Sequence, residues 1–146
     1  MKPKKILLVE DSPDDQELIR MALEEEHVVN EIVALNDGAQ ALDYLFGRGA
    51  YAERDVSDTP LVIMLDIKLP KVNGLEVLQQ LRADPRTALI PIVMLTSSNE
   101  ERDVLESYKN RANSYVRKPV DFDQFIKAVK HLKLYWVILN VPPPDR

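Results

Sequence analysis

The chain has 146 residues, 45% hydrophobic and 29% charged, with a formal net charge of -5 and a pI near 5.1. That length supports one domain with a substantial core rather than two, and the acidic balance argues against a nucleic-acid binder, which needs a basic surface. With no cysteine there are neither disulfides nor thiolate zinc sites.

Short apolar runs alternate with longer helical patterns, the signature of βα units around a parallel sheet, so an α/β doubly wound fold is expected. The basic start, Met1-Lys2-Pro3-Lys4-Lys5, leads into an apolar run from Ile6 to Val9 that is too short for a signal-peptide core. No stretch approaches the ~20 apolar residues that span a bilayer. A soluble cytoplasmic protein with no membrane partner is the expectation.

The first strand reads from Lys4 to Val9 and ends in Glu10 and Asp11. Ser12 as N-cap, Pro13 at the first helical position and Asp14 and Asp15 in the first turn open a helix. Leu18, Met21, Ala22 and Leu23 read as its apolar face. A second strand follows from Glu31 to Leu35. The next helix spans about Asp37 to Phe46, with Ala41, Leu42 and Leu45 inward and Gly47 to end it. Residues 47–60 carry Gly, Ser and several charges without a helical period, and read as a surface insertion loop.

Leu61 to Leu65 is a third strand, apolar without alternation as a strand covered on both faces should be, and Asp66 follows directly. A helix from Gly74 to Arg82 buries Leu75, Val77, Leu78 and Leu81, and Asp84-Pro85 stops it. Ile92 to Leu95 is a fourth strand, ending at Thr96. The helix near Asn99 to Lys109 has few sizeable apolar residues and reads as the loosest. Ser114 to Val116 is a weaker fifth strand, two residues before Lys118. A last helix from Asp121 carries Phe122, Phe125, Ile126, Val129 and Leu132, with Lys127, Lys130 and Lys133 as a solvated face. Leu134, Tyr135, Trp136, Val137, Ile138 and Leu139 are apolar almost all round and need a second surface to cover them. Residues 1–140 read as one domain and 141–146 as a proline-rich tail.

An aspartate placed after five apolar residues is costly to bury without a partner. Ligands of such sheets bind beyond the carboxyl ends of the strands. Placing the first and third runs side by side would bring Glu10, Asp11 and Asp66 into one crevice, and three carboxylates together demand a cation. Oxygen ligands without Cys or His favour Mg²⁺ over zinc. Lys118 adds an ammonium and Thr96 a hydroxyl, a set suited to placing a phosphoryl group on Asp66.

Glu10-Asp11, Asp66 with Pro70 and Gly74, Thr96-Ser97 and Tyr115-Val116-Arg117-Lys118-Pro119 together resemble the receiver domain of two-component signalling over about residues 4–133. The resemblance implies a flavodoxin-like five-stranded sheet in the order 2-1-3-4-5, with helices on both faces. It implies Asp66 as phosphoacceptor, Mg²⁺ bound by Asp11, Asp66 and the Lys68 carbonyl, and Glu10 acting mainly through water. Thr96 and Tyr115 would be the switch pair, and Lys118 the phosphate-sensing cation. The insertion loop, the Leu-Pro-Lys-x-x-Gly segment and the Leu-Tyr-Trp ending with its proline strap resemble the stand-alone regulators of phytochrome histidine kinases. That implies a phytochrome-type kinase partner and a homodimer through helix 4, strand 5, helix 5 and the strap, with Leu134 to Leu139 at the interface.

Glu10 stands where Asp is commoner, which lengthens the reach to metal-bound water, and Ser97 is larger than the usual Ala or Gly. Other readings stand beside this one. Glu10 to Pro13 also makes a plain helix cap, Asp66 a strand-ending turn, Tyr115 a core aromatic, and Leu134 to Leu139 a segment packed on its own domain. A Mg²⁺ phosphatase with an aspartyl nucleophile wants an acid two residues after it, where this chain has Lys68. A receiver fold kept as a phosphorylation-independent binding platform would not need the complete acidic set.

Overall fold

A computed structural model describes residues 4–96, 108–112, 114–117 and 127, giving backbone alone at 96 and 114–117. Strands β1 (Ile6–Val9), β2 (Ile32–Leu35), β3 (Val62–Asp66), β4 (Ile92–Thr96) and β5 (Ser114–Arg117) form one sheet in the order β2-β1-β3-β4-β5. Every neighbouring pair is parallel. The fold is the expected flavodoxin-like doubly wound sheet.

Alternation along the central strands sorts their side chains onto two faces. Leu7 and Val9 of β1, Ile63 and Leu65 of β3, and Ile92 and Met94 of β4 pack with α2 (Gly38–Phe46) and α3 (Gly74–Ala83). Ile6, Leu8, Val62, Met64, Val93 and Leu95 turn the other way, where α1 (Pro13–Glu25) contributes Ile19, Ala22 and Leu23. Covering both faces removes each such side chain from water, about 1.5–3 kcal/mol apiece. That is why these strands are apolar without a polar face.

The caps follow the sequence closely. Ser12 accepts the N–H of Asp15, and Asp37 and Asn73 do the same for Gln40 and Glu76 at the starts of α2 and α3. Gly47 ends α2 in the left-handed region at φ 66°. The face of α1 differs from the expectation: Met21 is 47% exposed, and Ile19 takes the buried place. At 100° per residue Ile19, Ala22 and Leu23 share a side, and Met21 falls opposite Ile19.

Two features were not anticipated. Residues 47–60 contain a 3₁₀ turn (Gly49–Tyr51) and fold onto α2: Tyr51 stacks edge-to-face on Tyr44 at 5.2 Å, and the Arg54 guanidinium lies 4.0 Å over the Tyr44 ring. Arg82 is buried at the end of α3 and donates to the carbonyls of Ala88, Ile90 and Arg111. Arg111 donates back to the Arg82 carbonyl at 2.9 Å. Burial first, and the nearby Arg111 charge second, press the Arg82 pKa down to about 10, so it stays charged at neutral pH.

Of the helix expected near Asn99 to Lys109, Tyr108 and Lys109 are described and are helical. The helix from Asp121, save Lys127, and the Leu134 to Leu139 segment lie outside the described residues. Lys127 is helical and exposed. No helix among the described residues is long and apolar enough to cross a membrane.

Candidate functional site

Parallel pairing of β1 with β3 sets Val9 opposite Leu65, so Glu10, just past the end of β1, and Asp66, the last residue of β3, come side by side. Glu10 is 1% exposed and Asp66 5%, while Asp11 faces solvent. One carboxylate oxygen from each of the three lies within 4.8 Å of the others. Two charges at that distance repel by about 3 kcal/mol at an effective dielectric of about 20, and less where Asp11 meets water. An oxygen-only set this tight, two of the three buried, fits a hard divalent cation.

Local bonds hold two of the three carboxylates in place. The Ser12 N–H donates to Glu10 Oε2 at 3.2 Å, folding that side chain over the start of α1. The Lys68 N–H donates to Asp66 Oδ1 at 3.1 Å, which orients the carboxylate against its own loop. The loop then returns sharply: Gly74 N–H donates to the Ile67 carbonyl at 2.8 Å. A Cβ at Gly74 would stand 2.0 Å from the Asp66 carbonyl oxygen, so only glycine lets α3 begin this close to the strand end.

Thr96 is in register one residue beyond Leu95, the β4 partner of Asp66, and its own partner on β5 is Arg117. The backbone therefore carries Thr96 to the same edge as Asp66. Tyr115 pairs with Met94, two residues nearer the start of β4. Lys118, directly after Arg117, lies outside the described residues, as does Ser97.

Sequence reasoning missed the brace around this edge. Gln16 Nε2 donates to the Glu10 carbonyl and, at 2.8 Å, to Asn36 Oδ1. Gln40 Oε1 accepts the Asn36 N–H at 2.8 Å. A Cβ at Gly38 would stand 1.8 Å from the Val72 carbonyl oxygen. The signal available was the run Asn36-Asp37-Gly38 directly after β2, of which Asp37 was read only as the start of a helix.

Three comparisons bear on this site. The family model for the response regulator receiver domain matches residues 6–130. Response regulator Rcp1 of Synechocystis sp. is 37% identical over 135 residues, covering 92% of this chain and 90% of Rcp1. A crystal structure of its Mn²⁺-bound form superposes with a TM-score of 0.89, covering 97% of this chain and all of that one. The phosphorylated cyanobacterial phytochrome response regulator RcpA is similar at 38% identity and a TM-score of 0.88, covering 97% and 99% of the two chains. The bacteriophytochrome response regulator RtBRR is 53% identical with a TM-score of 0.79, covering 99% of this chain and 86% of the other.

Proposed function

The chain belongs to the response regulator receiver domain family, and we propose that Asp66 is its phosphoacceptor and that its chemistry is limited to taking and losing that phosphoryl group. It is related to the phytochrome response regulators Rcp1 and RcpA, and phosphorylation on aspartate is typical of the family. The observation that carries the reading is a buried strand-end aspartate whose carboxylate sits within 4.8 Å of two others.

Asp11, Asp66 and the Lys68 carbonyl would hold Mg²⁺ directly, with Glu10 acting mainly through water. That the similar Rcp1 has a Mn²⁺-bound form supports a divalent ion as the group bound. When bound, the ion supplies positive charge against the incoming phosphoryl oxygens. An Asp66 carboxylate oxygen attacks the phosphorus of a phosphohistidine; the P–O bond forms as the P–N bond breaks, and the electron pair stays with the imidazole. Lys118 offsets the added charge, and the Thr96 hydroxyl donates to a phosphoryl oxygen. Thr96 drawn toward Asp66 lets Tyr115 move inward, and this pair carries the signal to the surface.

The donor is a histidine kinase of the phytochrome type, in keeping with RcpA and RtBRR. The signal is read in the cytoplasm at a homodimer face built from helix 4, strand 5, helix 5 and Leu134 to Leu139, without nucleic acid or membrane. The domain spans residues 1–140, with 47–60 as its insertion and 141–146 as a tail. Transfer from a radiolabelled phytochrome-type kinase to the wild-type chain, and none to Asp66→Asn, is the expected result. Acetyl phosphate labelling without transfer from any such kinase would reject the partner while leaving the phosphoacceptor in place. Sedimentation with and without beryllofluoride tests the dimer, and a monomer in both would reject it.

A further inference from the structure

The start of α2 is tied to both segments that carry the acidic cluster, to one through Asn36 and Gln16 and to the other directly. On one side Gln16 joins the Glu10 carbonyl to Asn36, whose N–H is in turn held by Gln40 of α2. On the other, the loop of residues 67–73 lies directly on Gly38. A Cβ there would meet the Val72 carbonyl oxygen at 1.8 Å, its carbon at 2.7 Å and Val72 Cβ at 2.9 Å. The Gly38 N–H points to the Pro70 carbonyl at 3.4 Å, and Lys71 Nζ lies 3.7 Å from Asp37 Oδ2. Lys71 is held at φ 67°, a conformation that a residue with a side chain keeps only where its surroundings impose it.

We infer that Gly38 and Gln16 are positioning residues for the metal site, setting the separation between the Glu10–Asp11 turn and the Asp66–Lys68 turn. The inference rests on the reading of Glu10, Asp11 and Asp66 as metal ligands. Neither residue is itself a ligand. Their bonds and contacts fix two backbone turns whose spacing sets how closely the three carboxylates approach one ion. Mg²⁺ demands short, near-octahedral coordination, whereas Ca²⁺ accepts longer and irregular bonds. A loosened brace therefore costs Mg²⁺ more than Ca²⁺.

Gly38→Ala and Gln16→Ala change no charge, so a change in affinity reports geometry and not the local field. Titration calorimetry of the full chain with Mg²⁺ and with Ca²⁺, after circular dichroism confirms folding, reads both effects. Gly38→Ala should raise the Mg²⁺ Kd about tenfold or more, and Gln16→Ala by about three- to tenfold. In both, the preference for Mg²⁺ over Ca²⁺ should fall. Should Gly38→Ala not fold, Gln16→Ala decides, since alanine there keeps α1 helical. Wild-type Mg²⁺ affinity and an unchanged Mg²⁺ to Ca²⁺ ratio in the folded variants would overturn the inference and leave the ligand set standing. A wild-type chain that binds neither ion would remove both.

Discussion

Substituting Gly74 by alanine puts one methyl group into the tightest contact at the site. The added carbon would stand 2.0 Å from the Asp66 carbonyl oxygen and 2.8 Å from both the Asp66 carbonyl carbon and Ile67 Cα. Every one of these atoms is backbone, so no side chain can rotate away. Carbon and oxygen tolerate about 3.4 Å, so the strand end and α3 must part by about 1.4 Å. Overpacking of this kind costs about 1–3 kcal/mol. Parting also weakens the 2.8 Å bond from Gly74 N–H to the Ile67 carbonyl, worth about 1 kcal/mol more. The expected loss is about 2–4 kcal/mol, a fall in Tm of roughly 6–12 °C for a chain of this size. Because the shift is centred on Asp66, labelling by acetyl phosphate should slow beyond what the unfolded fraction explains. Urea denaturation followed by circular dichroism, with labelling rates measured well below the transition, checks both. Wild-type stability together with wild-type labelling in Gly74→Ala would refute the close-approach reasoning.

Three further outcomes follow from other parts of the chain. Arg82→Ala removes three bonds to carbonyls from a buried guanidinium and should cost about 2–4 kcal/mol in urea denaturation; Arg82→Lys should recover less than half, since an ammonium cannot reproduce the planar fork, and full recovery would contradict the geometry. Arg54→Ala loses the stack on Tyr44 and the bond to its carbonyl at 3.0 Å, so residues 47–60 should be cut faster by a protease at a stability cost of about 1–2 kcal/mol. Labelling at Asp66 should not change, and a slower rate would show that the insertion reaches the site. Asp11→Asn should weaken Mg²⁺ binding about tenfold or more by calorimetry, while stability in chelator should rise by about 1–2 kcal/mol as the repulsion of Glu10 and Asp66 is relieved.

Strands β1, β3 and β4 are legible in the sequence because burial on both faces leaves them apolar, and their ends are legible because an acid or hydroxyl breaks each run abruptly. Parallel register then carries Glu10 and Asp66 together without further information. The cap at Ser12 is equally readable, and Asp37 and Asn73, not named as caps from the sequence, follow the same local chemistry. Met21 is the counterexample: α1 holds more apolar residues than one face can take, and the 100° period, which groups Ile19 with Ala22 and Leu23 and sets Met21 opposite, has to choose among them. Arg82 and Gly38 were hidden for a different reason. A guanidinium satisfied by carbonyls and a glycine seated under a loop depend on segments that meet from distant parts of the chain.

Incubating the chain with acetyl phosphate and Mg²⁺ and weighing it by intact-mass spectrometry shows whether Asp66 takes a phosphoryl group. The wild-type chain should gain one acid-stable, base-labile phosphoryl group, dependent on the metal and absent from Asp66→Asn. Labelling that persists in Asp66→Asn, or a wild-type chain that never gains the group, would contradict the assignment of Asp66 as phosphoacceptor.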